Sequence, residues 1–213
     1  MSLKISKKKF IYLISPNNLY PKFYQDLRNV LNTGKVGFFQ LRLKKYSLKN
    51  KILLGRKINV ICKKYNVKFL VNDDPLLAKK INADGCHLGQ KDMHISEARN
   101  IIGNKIIGIT CHNSVKLAKA AIKEKASYLA FGAFFSTKTK KAKFKATTNI
   151  LNKTRKFTKT PIIAIGGINN NNYKKLLLNN ANLLAISGYV WSNKKFKPLE
   201  AIKNLKWKLM REK

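Results

Sequence analysis

Apolar runs of four to seven residues, rich in Val, Ile, Phe and Tyr, recur along the chain and alternate with longer stretches in which apolar and lysine positions mix. The short runs fit strands buried on both faces, and the longer stretches fit helices with one apolar side. Strands are expected at 10–14, 36–41, 67–71, 84–88, 105–109, 127–131, 161–165 and 183–187. Helices are expected at 21–31, 48–65, 75–82, 94–101, 114–125, 147–156, 170–180 and 197–208. Ser47 precedes the second helix, Asp74-Pro75 offers an N-cap followed by a first-turn proline, and Asn113-Ser114 precedes the fifth. Eight alternating strand and helix pairs predict the α/β class: a single (β/α)8 TIM barrel over 1–213, with its active site at the C-terminal ends of the strands. An open doubly wound sheet is the rival arrangement. ISPN at 14–17, after the first strand, lacks the G-x-G-x-x-G that a dinucleotide-binding sheet would carry there.

A chain of 213 residues, 45% hydrophobic and without a Pro-, Gly- or Ser-rich divider, is long enough for one sizeable core. No apolar run is long enough to cross a bilayer as a helix, and no small-residue cleavage pattern follows the basic start. Cys62, Cys86 and Cys111 are widely spaced with no C-x-x-C pair, so they read as reduced thiols of a cytoplasmic protein. The net charge of +36 invites a polyanion partner, yet only six of the 45 basic residues are Arg, and 23 Asn accompany them. That bias runs along the whole chain, and arginine is the usual choice for bidentate phosphate and base contacts. A non-enzymatic polyanion-binding protein is therefore the lesser alternative. No specific nucleic acid and no membrane are expected as partners, only salt-sensitive adhesion to polyanions in vitro. The carboxylates point elsewhere: of nine, five (Asp73, Asp74, Asp84, Asp92 and Glu97) fall within residues 73–97.

Polar residues collect just beyond the expected strand ends. In QLRLK, alternation puts Gln40, Arg42 and Lys44 on one side, an amide, a guanidinium and an ammonium converging on a polyanion. Asn72, Asp73 and Asp74 follow the third strand, and His87, Gln90 and Asp92 follow the fourth. Asp74 reads as the cap of the next helix. Asp73 and Asp92 can approach each other from adjacent strand ends, and paired carboxylates with amide and water oxygens suit Mg²⁺. Thr110, Cys111, His112 and Asn113 follow the fifth strand. GAFFSTKTK at 132–140 places Thr137, Thr139 and Lys140 in a polar loop suited to phosphate oxygens. In IGGI at 165–168, Gly166 and Gly167 would let backbone amides approach a ligand, and Ser187-Gly188 completes a region where barrel phosphate sites are frequent. The histidines lack H-x-x-x-H spacing; His87 is read as a rim residue and His94 as a helix start. Cys111 reads as a buried wall residue.

These segments resemble thiamine-phosphate synthase, the family that joins the pyrimidine and thiazole halves of thiamine. The resemblance rests on QLRLK at 40–44, VNDDPLLAKKINADGCHLGQKD at 71–92, Ala98-Arg99, IIGITCHN at 106–113, FGAFFSTKTK at 131–140, AIGGI at 164–168 and AISG at 185–188. It implies a Mg²⁺-dependent transferase that condenses 4-amino-5-hydroxymethyl-2-methylpyrimidine pyrophosphate with 4-methyl-5-(2-hydroxyethyl)thiazole phosphate, giving thiamine phosphate and pyrophosphate. By motif, Asp73 and Asp92 look like the metal ligands. Gln40, Arg42, Lys44, Asn72 and Lys140 look like contacts to the pyrimidine substrate, and Thr110 stands at the serine of the family's G-x-S motif. Thr137 and Thr139 look like thiazole-phosphate ligands, with Gly167 and Ser187 supporting the phosphate. Arg42, Lys44, Thr110 and Lys140 are the candidate catalytic group. The implied chemistry is dissociative substitution at the pyrimidine methylene, which needs charge clamps and no enzyme nucleophile. The implied partners are small-molecule phosphate and pyrophosphate substrates, with a homodimer as the candidate assembly. Thiazole tautomerase and regulatory relatives on the same barrel are the alternative; they could dispense with the pyrophosphate and metal constellation. Leu43 stands where the family commonly has an acid, removing a partner for Arg42, and Ala133 and Ser136 stand where prolines are common.

Overall fold

The computed structural model describes residues 3, 8–136 and 144–206. All eight expected strands form: β1 (Ile11–Ile14), β2 (Val36–Leu41), β3 (Lys68–Asn72), β4 (Gly85–Leu88), β5 (Ile106–His112), β6 (Tyr128–Phe131), β7 (Ile162–Ile165) and β8 (Leu183–Ile186). They close into one parallel barrel in chain order, with β1 paired to β8. The apolar runs are uninterrupted because both faces of each strand are covered. Ile11 and Leu13 of β1 join the outer core under the helices, while Tyr12 and Ile14 join a lumen cluster with Phe38, Leu70, Tyr128 and Ile163. The barrel is thus packed solid, and chemistry is confined to its rim.

The surrounding helices are α1 (Phe23–Leu31), α2 (Leu48–Lys64), α3 (Pro75–Lys80), α4 (Ile95–Ile102), α5 (Val115–Lys123), α6 (Thr148–Arg155), α7 (Tyr173–Leu178), α8 (Gly188–Trp191) and α9 (Pro198–Asn204). Their starts follow the expected caps. Ser47, Asp74 and Ser114 accept from the backbone N–H three residues on, at 3.3, 2.9 and 3.2 Å. His94 begins α4, and its Nδ1 lies 3.2 Å from Glu124 Oε2.

Four elements differ from expectation, one of them α9, which ends at Asn204 where a helix to 208 was expected. α7 begins at Tyr173 because Asn169 and Asn172 bond to nearby backbone N–H groups and hold a turn there. β5 runs on to His112 through a bulge: Thr110 pairs with Ala130 and His112 with Phe131, leaving Cys111 as the extra residue. α8, a single turn that the pattern did not announce, is fastened by Trp191 Nε1 donating to the Ile14 carbonyl at 2.7 Å.

At the opposite end, where helices return to strands, basic side chains reach loop and helix-end carbonyls. Lys35 Nζ donates to the carbonyls of Ile202, Lys203 and Leu205, and Lys105 Nζ to that of Ala83. Arg99 reaches the carbonyls of Gly103, Lys105 and Lys125, and Arg155 those of Thr158 and Thr160. A cation at a helix C-terminus also meets the negative end of the helix dipole, for about 0.3–1 kcal/mol each. Asp84 belongs to this end: its carboxylate accepts from the Phe69 N–H at 2.8 Å and pairs with Lys68 at 3.1 Å. Among the described residues no helix is long and apolar enough to cross a membrane. Cys62, Cys86 and Cys111 are free and buried, and burial pushes the Cys86 and Cys111 thiols up to about 12.

Candidate active site

Strand parity aims the rim. Gln40 and Asn72, at the ends of β2 and β3, meet above Leu70, with Gln40 Nε2 donating to Asn72 Oδ1 at 3.2 Å. Gln40 is buried. β2 ends at Leu41, but the alternation persists two residues further: Arg42 is half-buried and Leu43 goes into the outer core. Arg42 Nη1 donates to Asn17 Oδ1 at 3.3 Å, and no carboxylate partners it among the described residues. Ser15 ties three strand ends together. Its N–H donates to the Gln40 carbonyl, its Oγ accepts from the Arg42 N–H at 2.9 Å, and its carbonyl accepts from Ser187 Oγ at 3.2 Å.

Lys44, Asp73 and Asp92 form the charged row. Asp73 lies one residue past β3 with φ +63°, a left-handed conformation uncommon for a residue with a side chain. Its N–H is held by the His87 carbonyl at 2.8 Å, and its Oδ2 meets Lys44 Nζ at 2.9 Å. Asp92 is turned toward it by a short loop in which the Gly89 N–H donates to Asp92 Oδ2 at 2.6 Å. The two carboxyl groups are close enough that each bears on the ionisation of the other. Burial works against ionising Asp73, yet hydrogen bonds from Lys44 and Asp92 and the Lys44 charge hold it below the usual carboxylate range. Asp92 moves the other way: burial raises it, the Gly89 N–H opposes, and the Asp73 carboxylate raises it further. Two carboxylates so placed share a proton or take a cation instead. Of the five clustered acids, only this pair reaches the rim. Asp74 caps α3, Asp84 lies at the opposite end, and Glu97 is in the first turn of α4.

Below the rim runs a polar chain that sequence reasoning undervalued. His87 Nε2 lies 2.9 Å from Thr110 Oγ1, and its Nδ1 lies 2.9 Å from the Tyr128 hydroxyl, which is 2.8 Å from the hydroxyl of Tyr12. The imidazole stacks on the Tyr128 ring, with centroids 5.7 Å apart and planes 11° apart. Burial pushes the His87 pKa down to about 4, against the Asp73 charge, so the ring is neutral near pH 7. Gly108 makes room for Tyr128, since a Cβ there would stand 1.8 Å from the ring carbon that bears its hydroxyl. Gln90 Nε2 donates to the Thr110 carbonyl.

Gly166 and Gly167 stand against the loop that follows β6. A Cβ on Gly166 would lie 2.4 Å from the Ala133 Cβ, and one on Gly167 2.2 Å from the Ser136 carbonyl oxygen. Both have positive φ, +105° and +63°. Their missing side chains admit the backbone of the loop after β6, which pairs with them through Phe134 N–H to the Ile165 carbonyl and Phe135 N–H to the Gly166 carbonyl, each at 3.1 Å. That loop is also fastened at its ends. The Ala133 N–H donates to the Phe144 carbonyl, the Ala146 N–H to the Ala133 carbonyl, and Phe144 stacks on His112 at 4.2 Å. Thr137, Lys138, Thr139 and Lys140 lie outside the described residues.

Sequence reasoning missed Ser15, Tyr12 and Tyr128. The available signal was a hydroxyl-bearing aromatic in each of two otherwise aliphatic strands, and a glycine two residues before Thr110 on the same face.

A family profile described as thiamine monophosphate synthase matches residues 11–190. The chain is 64% identical over 200 residues to the thiamine-phosphate synthase of Pelagibacter ubique (strain HTCC1062), a match covering 93% of this chain and 97% of that relative. It is 41% identical over 187 residues to that of Erythrobacter litoralis (strain HTCC2594), covering 85% and 88%. Among solved structures, the thiamine phosphate pyrophosphorylase from Pyrococcus furiosus superposes with a TM-score of 0.82 at 29% identity, covering 93% of this chain and 94% of that one.

Proposed function

The chain belongs to the thiamine monophosphate synthase family and carries out the condensation that forms thiamine phosphate, and we propose that its rim does this by clamping charge around a departing pyrophosphate. The observation that carries the reading is the row Lys44–Asp73–Asp92 beside the amide pair Gln40–Asn72. The amides orient the aminopyrimidine through its ring nitrogens and amino group. Arg42, unpaired with any described carboxylate, and Lys44 take the pyrophosphate charge. Thr110 adds a hydroxyl contact from the adjoining strand end. Thr137, Thr139 and Lys140 are assigned to the thiazole phosphate and the pyrophosphate on the family resemblance. In this assignment Gly167 and Ser187 shape the phosphate end by seating the β6 loop and the β1 end.

Mg²⁺ is the proposed cofactor, held by Asp73 and Asp92. No group of three or more His, Cys, Asp or Glu side chains converges among the described residues. Two carboxylates nonetheless fit this ion, which keeps waters and takes further oxygens from substrate phosphates. Neighbouring carboxylates, one held below the usual range and the other raised by its partner's charge, are a donor set that a hard cation relieves. When bound, the ion neutralises leaving-group charge.

The reacting carbon is the exocyclic methylene of the pyrimidine. As the C–O bond breaks, both electrons leave with pyrophosphate, and the electron-rich aminopyrimidine stabilises the resulting cation; the thiazole nitrogen lone pair then forms the C–N bond. The side chains contribute position and electrostatics, and no enzyme nucleophile takes part. Three buried free cysteines support a reducing, cytoplasmic setting. The decisive experiment is synthesis of thiamine phosphate with each substrate omitted in turn across a range of Mg²⁺ concentrations. Product is expected only with both substrates and the ion; no product above background overturns the reading.

A further inference from the structure

The polar chain inside the barrel runs in single file from Tyr12 through Tyr128 and His87 to Thr110, with contacts of 2.8, 2.9 and 2.9 Å. A neutral imidazole has one donor and one acceptor nitrogen, so the whole file must point one way or the other. In one direction Tyr12 donates to Tyr128, Tyr128 donates to His87 Nδ1, and His87 Nε2–H donates to Thr110 Oγ1. Lone pairs on Tyr12 are then unused, and the one free donor is the O–H of Thr110, which is half-buried at the rim. In the other direction every donor is reversed, and the file ends on the Tyr12 O–H, for which no acceptor stands among the described residues. Tyr12 is 2% exposed and packed edge-on against Tyr128 and tilted against Phe38. An unpaired buried donor carries its full desolvation penalty, whereas an under-used acceptor is tolerated more readily.

We propose that Tyr128 and His87 are positioning residues: the Tyr128 O–H holds His87 as the Nε2–H tautomer and so leaves the Thr110 O–H free to donate to the pyrophosphate substrate at the rim. The inference rests on the assignment of Thr110 to substrate contact made above. A hydroxyl that already accepts from Nε2–H is also the better donor, because successive hydrogen bonds polarise one another. The seat of Tyr128 is built for this. Its ring occupies the space of a Cβ at Gly108, which lies on the same strand face as Thr110, and it stacks on the imidazole that it orients. No proton is transferred along the file; its effect is to fix which atom of Thr110 faces the substrate.

The full chain has three histidines, so ring ¹⁵N spectra of histidine-labelled protein can resolve His87. The expected pattern is a protonated Nε2 and an unprotonated Nδ1; the reverse overturns the proposal. Tyr128→Phe is expected to mix the tautomers and lower kcat about tenfold with KM changed less than about threefold, the worth of one misdirected hydrogen bond. In a Thr110→Ala background the same substitution should have no further effect on kcat, and an equal loss there would show that Tyr128 does not act through Thr110. Tyr12→Phe keeps the Tyr128 donor and should retain both the tautomer and kcat within about twofold; a tautomer switch would overturn the direction assigned, whether or not Tyr128→Phe folds. The spectra need no substrate, so a wild type that made no thiamine phosphate would sink the reaction assignment separately.

Discussion

Lowering the pH from neutrality protonates His87 in the unfolded chain well before it does so in the barrel. The unfolded imidazole takes its proton near 6.5, while burial among Tyr128, Thr110 and the lumen pushes the folded value down to about 4. The folded value is the depressed one, so the unfolded state binds more protons throughout the interval. The contribution is therefore fully present above about 6.5, shrinks as the pH falls, and is gone at about 4. Integrated over that interval it is about 3 kcal/mol, a large share of the roughly 5–15 kcal/mol that holds a typical domain together. Urea denaturation at pH values stepped between about 7 and 4, with wild type and His87→Gln in parallel, isolates it. The variant cannot titrate at this position but can still hydrogen-bond the two hydroxyls. Carboxylates contribute to both curves and cancel in the difference. Wild type should lose about 3 kcal/mol more than the variant across the interval. Parallel curves would refute the claim that His87 is held neutral by its surroundings.

Gly108→Ala should displace the Tyr128 ring, lowering stability by about 1–3 kcal/mol or more and altering the near-ultraviolet circular dichroism of the tyrosines. Wild-type stability and spectrum in this variant would mean that the ring does not occupy the place assigned to it. Asp73→Asn should lower synthesis on the order of a hundredfold with melting temperature little changed, whereas the neighbouring Asp74→Ala should cost about 1 kcal/mol of stability through its lost cap and leave turnover largely intact. Equal kinetic effects at the two positions would refute the division between site and cap, as read by steady-state assays and thermal melts. Gly167→Ala should destabilise the loop after β6 and raise KM for the thiazole phosphate more than for the pyrimidine substrate, because its new Cβ would meet the Ser136 carbonyl. An unchanged KM ratio would detach that loop from the thiazole phosphate.

The barrel was legible because two-sided burial leaves an unmistakable mark: Val36–Leu41 and Leu183–Ile186 read as strands from composition alone. Asp74-Pro75 marked a helix start because cap chemistry is local. The charged pair was also legible, since carboxylates are scarce in this chain and Asp73 and Asp92 follow neighbouring strands. Two parts were not. The direction of the glycines in IGGI depends on a loop whose own path is set by distant pairing with Phe134 and Phe135. The file from Tyr12 to Thr110 joins β1, β6, β4 and β5 across the lumen, and Tyr12 and Tyr128 stand 116 residues apart in the chain. Strand parity gives the inward face, but only barrel closure determines which inward groups touch.

The lysines and arginines at the base separate what holds the barrel together from what acts at its rim. Lys35 alone engages three carbonyls near the end of α9, and Arg99 and Arg155 brace other returns from helix to strand. None of these contacts touches the rim. A change in Arg42 or Thr110 that altered the choice of substrate would leave the bracing intact, and a loss of bracing would lower tolerance to heat without redirecting the chemistry. Robustness and specificity are thus assigned to opposite poles of one barrel.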